Sequence, residues 1–586
     1  MNHPASDSAE NSQHKPWQAL YPSGLLQATP VRSQALNLAT AWKNRVDAAP
    51  DAPALMYFDA VFSARQVDAL SDALAVALAE QGVQAGDRIG VHLQNIPQYA
   101  LLLIALWKLG AAALLLNPMY MGDELKALVG DAGARGIIAT DCDVDRVRSS
   151  VAGTSVQWVI GTDERALQTR NDPRVFVDEA PAMPASSADD DLMALLQAHQ
   201  GQRPPATPAD ADTLALLVYT SGTTGPAKGA MVSHANVLAV TGSFARFADI
   251  RPGDVTFALA PLFHITGAVV LGALALMEGT ALVCTGRFQP EVVLDALQEH
   301  QATYMVGSIT AYIALMNSPA AKREHFASMR TLFSGGAPVP PSTVQEFQDR
   351  FGHYVHNAYG MTETSSAVMA VPPGTQAPVE PGSGTLSVGV PLPGVYAEVV
   401  GPDDRSLPAG QQGELVMSGP QIVSGYWKQP EASAQAMPGG RLHSGDAAVM
   451  DEQGWVYLVD RLKDQINVSG YKVWPREVED CLYQHPAVLE AAVVGVPDDY
   501  QGESVVAYVS LRSGERTEAE ELKTFVSARL AAYKRPRAVH IVTDLPKTQT
   551  GKIRRNELRQ LASATENQAD AMGPTGRQVR QDIAPE

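Results

Sequence analysis

The stretch from Leu214 to Gly229, LALLVYTSGTTGPAKG, limits what this chain can fold into more than any other. Leu214–Val218 is short, aliphatic and followed at once by breaker residues, the pattern of a buried strand. It empties into Tyr219-Thr220-Ser221-Gly222-Thr223-Thr224-Gly225-Pro226-Ala227-Lys228-Gly229, with three glycines, four hydroxyls from Thr220 to Thr224, and one lysine. Glycine lets backbone N–H groups approach a ligand closely. Hydroxyls and N–H groups donate to phosphate oxygens, and the lysine adds a mobile positive charge. These are the needs of a nucleotide triphosphate. A Walker A loop, G-x-x-x-x-G-K-[ST], does not fit. Counted from Gly222, its second glycine and its terminal hydroxyl fall on Ala227 and Gly229.

Length and composition bound the rest. The chain has 586 residues, 45% hydrophobic and 18% charged, which describes a globular protein of several domains. Its 44 Lys and Arg against 63 Asp and Glu give a net charge of −19. That argues against nonspecific binding to nucleic acid or anionic membranes, while a locally basic site still admits anionic substrates. Cys142, Cys284 and Cys481 lack metal-like spacing and form no even disulfide framework, so they are expected to be reduced core residues of a cytoplasmic protein. The N-terminus has no secretory signal pattern. Tyr99–Leu116 is interrupted by Lys108 and Gly110, and reads as a buried helix then a strand. Thr266–Cys284, carrying Glu278 and Gly279, reads likewise, and neither as a membrane span.

From about Ala35, helical and aliphatic strand patterns alternate. Val67–Gln81, Gln98–Leu109, Asp123–Asp131 and Pro290–His300 have helical character; Arg88–Leu93, Gly136–Thr140, Asp254–Ala260, Thr280–Cys284, Thr303–Val306 and Thr331–Ser334 have strand character. This predicts an α/β fold with mainly parallel sheets in layers. Pro181–Asp212 reads as a surface excursion. From about Gly384 shorter alternations predict a β-rich subdomain, and beyond Arg461–Asp464 comes a small α+β module that includes a helix over Glu518–Ala532. The expected division is a tail at 1–30, a large domain at 31–460, a hinge at 461–464, a small mobile domain at 465–560 and a polar tail at 561–586.

Five more segments follow in order: Phe333-Ser334-Gly335-Gly336-Ala337-Pro338, Asn357-Ala358-Tyr359-Gly360-Met361-Thr362-Glu363, Leu442-His443-Ser444-Gly445-Asp446, Asp460-Arg461-Leu462-Lys463-Asp464, and Leu545-Pro546-Lys547-Thr548-Gln549-Thr550-Gly551-Lys552-Ile553. With the phosphate loop they resemble the adenylate-forming superfamily of acyl-CoA synthetases, peptide-synthetase adenylation domains and luciferases. The resemblance covers about residues 30–560, and implies two half-reactions. In the first, a carboxylate attacks the α-phosphorus of ATP and expels pyrophosphate. An acid with a pKa of about 4–5 is already ionised at neutral pH, so positioning and charge neutralisation suffice.

By the same resemblance, Thr220, Ser221, Gly222, Thr223, Thr224, Gly225 and Lys228 hold phosphates, Gly336, Ala337, Asn357 and Ala358 border adenine, and Tyr359 stacks on it. Thr362 meets the α-phosphate, Glu363 holds Mg²⁺ with help from Thr220, Asp446 and Arg461 bond ribose, and Lys552 enters when the small domain closes. In the second half-reaction the small domain swings about Lys463. The Val468–Lys472 loop then presents Ser469 and Gly470 to a pantetheine tunnel, and CoA displaces AMP. Lys534 and Arg535 are candidates for CoA phosphates.

Several segments, among them Gly413–Gln421 with Gly425-Tyr426-Trp427, are most similar to bacterial medium- and long-chain fatty acyl-CoA ligases. Asn467 stands where coumarate ligases and luciferases usually carry lysine. Gly439-Gly440-Arg441 departs from the usual Asn-Gly-Trp. The acyl pocket is expected from Pro261–Gly267 with His264, Val306–Thr310 (Val306 and Thr310 at its ends), Gly335, and Gly360-Met361 as floor. The implied partners are ATP, CoA and a small carboxylic acid, with loose membrane association or a homodimer as family-level expectations. An aryl acid–CoA ligase of coumarate or benzoate type, an acyl-AMP ligase loading a carrier protein, a luciferase-type oxygenase and a P-loop enzyme are the alternatives.

Overall fold

The computed structural model describes residues 15–23, 25, 37–176, 190–205, 209–220, 227–381, 384–469, 471–498, 500–547 and 553–562. Two large sheets carry most of them. In the first, strands run in the order 190–191, 158–162, 136–140, 88–92, 112–115, 214–219 and 229–233, parallel except for the last pair. In the second the order is 390–391, 366–370, 355–361, 331–334, 304–307, 255–257, 281–284, 53–57 and 60–63, parallel through the centre and antiparallel at both ends. Strands such as Gly136–Thr140 and Thr331–Ser334 are buried along their whole length. Sheets covered on both faces need such unbroken apolar runs.

The two apolar stretches fold inside. Pro97–Lys108 is a helix buried at every position but Lys108, and Ala112–Leu115 is the strand after it. The Lys108 ammonium donates to Asp68 Oδ1 at 2.7 Å, Asp72 Oδ1 at 2.6 Å and Ser71 Oγ at 2.9 Å, so the charge inside the run is paired. Gly267–Ala273 is a π-helix leading into the helix Leu274–Glu278 and the strand Ala281–Cys284. A π-segment loosens the ordinary helical ladder. Here the Tyr304 hydroxyl donates to Val270 O at 3.0 Å. Among the described residues no helix is long and apolar enough to cross a membrane.

A four-stranded antiparallel sheet over 396–400, 412–418, 442–450 and 456–461 forms the β-rich subdomain. The small domain packs the helices Pro475–Tyr483 and Ala519–Ser527 on a five-stranded sheet of 466–468, 471–473, 488–498, 502–511 and 538–541.

Five expectations need correction. Cys142 lies exposed in the turn after strand 136–140, whereas Cys284 and Cys481 are buried. Within the expected tail, Pro16–Leu20 forms a 3₁₀ turn that buries Trp17 and brings it 6.3 Å from the Tyr396 ring, since burying an aromatic outweighs ordering a short segment. The excursion before the phosphate loop contains the helix Leu192–Ala198, with Leu192 and Leu196 buried and Asp191 capping Ala194 N. Strand 255–257 is shorter than its apolar run, because Leu259 N–H turns back to Phe257 O at 2.9 Å and breaks the regular ladder, while Ala258 and Ala260 N–H still reach Val283 O and Val306 O at 3.0 Å. The helix after Glu518 stops at Ser527, beyond which the ladder tightens to an i−3 bond from Arg529 N–H to Val526 O at 3.0 Å.

Candidate active site

Three parallel strands bring the central segments to one rim. Gly307 pairs with Ser334, and Ser334 with Asn357. The chain therefore leaves the sheet side by side at 308–310, 335–337 and 360–363. In open α/β sheets, ligands bind beyond the carboxyl ends of the strands. Close packing there demands glycine. A Cβ on Gly335 would lie 2.8 Å from Ala358 O, and one on Gly360 only 1.9 Å from Ser366 O. Gly336 and Ala337 continue the turn after strand 331–334, and the Asn357 side-chain amide donates to Ser387 O at 3.1 Å.

Tyr359 crosses the rim to the β-rich subdomain. Its hydroxyl donates to Asp446 Oδ2 at 2.6 Å, and Arg461 Nε lies 2.7 Å from Asp446 Oδ1. Asp446 and Arg461 are opposite partners in the antiparallel ladder of strands 442–450 and 456–461, so register alone joins carboxylate to guanidinium. Burial, then the Asp446 charge, pushes the Tyr359 phenol well above its usual value, so the hydroxyl remains a donor.

The phosphate loop leaves its own sheet at Thr220 and returns at Lys228. The Thr220 N–H donates to Lys228 O at 2.9 Å, and Lys228 N–H to Thr220 Oγ1 at 3.3 Å, closing the neck. Ser221, Gly222, Thr223, Thr224 and Gly225 lie outside the described residues. Glu363 sits in the 3₁₀ turn Thr362–Thr364 after strand 355–361, buried, with Thr362 half-buried beside it. Two neighbours escaped sequence reasoning. The Tyr426 hydroxyl donates to Glu363 Oε1 at 2.7 Å while Lys228 Nζ stands 5.0 Å from the Tyr426 ring centroid. The Tyr219 hydroxyl donates to Asp131 Oδ2 at 2.5 Å, at the end of the strand that leads to Thr220. No periodicity marks either partner; the Gly425-Tyr426-Trp427 signature was the only sequence signal.

Among the residues expected to line an acyl pocket, Ala260 N–H donates to Val306 O at 3.0 Å, setting 261–267 beside 306–310. His264 is half-buried, its Nδ1 accepting from Thr266 N–H at 3.3 Å. Val306 is buried, and the Thr310 hydroxyl lies 2.7 Å from Ser308 Oγ. Met361 N–H donates to Thr364 Oγ1 at 2.8 Å.

In the small domain, Lys463 occupies the 3₁₀ turn Leu462–Asp464, and burial followed by Arg461 holds its ammonium below the ordinary lysine value. Ser469 N–H donates to Gln501 O at 2.7 Å, and Tyr471, 60% exposed, stacks on Tyr533. Lys534 is ion-paired with Glu477, and Arg535 Nε donates to Leu530 O at 3.1 Å. Gly470 and Lys552 lie outside the described residues. Lys547, at the root of the Lys552 segment, bonds Glu490 at 2.6 Å and Asp544 at 2.7 Å.

The sequence profile of AMP-binding enzymes matches residues 42–427, and that of the AMP-binding enzyme C-terminal domain matches 477–552. The chain belongs to the AMP-binding enzymes. A long-chain-fatty-acid–CoA ligase of Escherichia coli O6:H1 is 34% identical over 560 residues, covering 93% of this AMP-binding enzyme and 98% of the relative. A feruloyl-CoA synthase of Amycolatopsis sp is 33% identical, covering 83% and 91%. The crystal structure of the anthranilate CoA ligase AuaEII with anthranoyl-AMP superposes with a TM-score of 0.80 at 25% identity, covering 92% of this chain and all of that one. This AMP-binding enzyme is an AMP-forming acid–CoA ligase, with ATP, CoA and a carboxylic acid as its substrates.

Proposed function

We propose that the acid is a medium- or long-chain fatty acid, activated as its acyl-adenylate and then transferred to CoA in the cytoplasm. The observation that carries this is the end-to-end likeness to a long-chain-fatty-acid–CoA ligase, 98% of whose length is covered. The feruloyl-CoA synthase and the anthranilate ligase favour an aryl acid as the second reading.

In this reading Asp446, its charge balanced by Arg461, accepts from the ribose hydroxyls, and Tyr359 stacks on adenine beside Gly336, Ala337, Asn357 and Ala358. Lys228, Thr362 and the phosphate loop neutralise the triphosphate while the acid's carboxylate attacks the α-phosphorus. Glu363 suits Mg²⁺. Among the described residues no three His, Cys, Asp or Glu side chains converge to hold a metal alone. One buried carboxylate fits an ion that keeps water and phosphate oxygens as its other ligands, with Thr220 the candidate to assist it. When bound, Mg²⁺ would draw charge from the phosphates. Lys552 then reaches the α-phosphate in the closed state. Rotation at Lys463 withdraws it and brings Ser469 and Gly470 forward, with Lys534 and Arg535 toward the CoA phosphates. Lys534 must first leave Glu477.

Exchange of labelled pyrophosphate into ATP, measured with acetate, octanoate, palmitate and 4-coumarate, tests the assignment. Octanoate or palmitate should give the highest kcat/KM, with thioester and AMP appearing only when CoA is added. A preference for 4-coumarate would overturn the fatty-acid reading. Product formation with a carrier protein and none with CoA would overturn the acceptor.

A further inference from the structure

The segment from Val423 to Trp427 is tied on one side to Glu363 and on the other to the strand that carries the phosphate loop's lysine. Val423 N–H donates to Glu363 O at 2.9 Å. Trp427 N–H donates to Gly229 O at 2.7 Å and Met231 N–H to Gly425 O at 3.1 Å, with Ala230 and Tyr426 facing each other as an antiparallel bridge. Tyr426 thus has its backbone fixed against the loop's return strand, one residue from Lys228's neighbour Gly229. The residue is 6% exposed, and its side chain reaches Glu363 with the hydroxyl, 2.7 Å from Oε1, while its ring lies 5.0 Å from Lys228 Nζ. A tyrosine buried only for packing has no need to meet the two charged groups of the site at once.

We propose that Tyr426 is the positioning residue of the triphosphate site, its hydroxyl orienting the Glu363 carboxylate toward Mg²⁺ and its ring face holding the Lys228 ammonium. The inference rests on the assignment of Glu363 to the metal and Lys228 to phosphate. A donor held on one carboxylate oxygen fixes the plane of the group and leaves the other oxygen for an ion, the usual way outer partners tune a metal ligand. A cation over an aromatic face is attracted by the ring quadrupole and keeps its place without losing its charge.

The test is calorimetric binding of ATP to the full chain, without acid, in EDTA and across a Mg²⁺ series. Tyr426→Phe keeps the ring and loses the donor. It should raise the Mg²⁺ concentration for half-maximal tightening roughly 10- to 100-fold while leaving binding in EDTA as in the wild type. Tyr426→Leu should in addition weaken binding in EDTA by about 2- to 5-fold. Glu363→Gln should abolish the Mg²⁺ effect, and adding Tyr426→Phe to it should change nothing further. If Tyr426→Phe alone lowers the melting temperature, the double variant, which leaves no carboxylate without its donor, carries the test. A wild-type Mg²⁺ response in Tyr426→Phe, or a further loss in the double variant, would overturn the role of Tyr426 and leave the metal assignment standing. A wild-type Mg²⁺ response in Glu363→Gln would instead remove the metal assignment, and this inference with it.

Discussion

Tyr359 and Asp446, 87 positions apart, share a buried hydrogen bond of 2.6 Å that joins the central sheet to the β-rich subdomain. Arg461 closes the other side of the same carboxylate at 2.7 Å. The pair makes one polar surface from two subdomains. The carboxylate proposed for ribose is therefore held before any nucleotide arrives, which reduces the ordering cost of binding.

Replacing that charge tests the arrangement. Asp446→Asn keeps the shape and should cost about 2 kcal/mol of ATP affinity, roughly 30-fold, because bonds to an ionised group exceed those to a neutral amide. Calorimetric titration with ATP reads it, and unchanged affinity would exclude Asp446 from the ribose site.

Half-reactions separate the two loops of the small domain. Lys552→Ala should slow pyrophosphate exchange roughly 100- to 1,000-fold, the cost of losing one preorganised donor to developing charge, and spare thioester formation from supplied acyl-adenylate. Gly470→Leu should do the reverse. Equal losses in both steps would refute the division of labour.

At the rim, steric overlap decides. Gly360→Ala would place a methyl 1.9 Å from Ser366 O, a backbone atom that no rotamer change can move. The expected penalty is about 3 kcal/mol, with loss of ATP binding, seen as a lower melting temperature and a flat titration. Wild-type behaviour in both would show that the loop yields.

Arg555 donates to both oxygens of Glu479 at 2.8 Å inside the small domain. Burial raises the Glu479 carboxyl even though Arg555 opposes it. Arg555→Met should cost about 3–5 kcal/mol by stranding the carboxylate, and Glu479→Leu in the same chain should recover most of it. Thermal melting of the full chain checks both; a stable single variant would mean the pair is not buried in solution.

Acid sensitivity follows from two histidines. Burial lowers the imidazoles of His234 and His356 from 6.5 to about 4. Both stay neutral in the fold, so between these values the unfolded chain binds more protons and stability rises with pH. Their contribution is complete above pH 6.5 and lost on falling toward pH 4, on the order of 3 kcal/mol per histidine. The melting temperature should drop more steeply over this window in the wild type than in a His234→Gln, His356→Gln double variant. Identical slopes would show that these rings titrate normally.

Much of the proposed site was legible as motifs, because phosphate chemistry demands particular residue types next to one another. The strand into Thr220, the lysine after the loop, and Tyr359 with Thr362-Glu363 are contiguous signals, and the strand formed where its apolar run placed it; strand 355–361 and the 3₁₀ turn after it had no pattern that announced them. Partners across space left no such trace. Tyr426 meets Glu363 from 63 positions away and Tyr219 meets Asp131 from 88. The π-helix at Gly267–Ala273 was equally hidden, since its carbonyl Val270 O is bonded by Tyr304 of another strand.

What the sequence by itself determined was the order of the elements and the residue types that stand together in the proposed site, because short-range chemistry and backbone sterics act between neighbours in the chain. Only the tertiary structure decided how those residues are held. Strand register set Asp446 against Arg461, the packing of two sheets set Tyr426 between Lys228 and Glu363, and burial shifted the groups that titrate. Such contacts depend on distances through space, which separation along the chain does not encode.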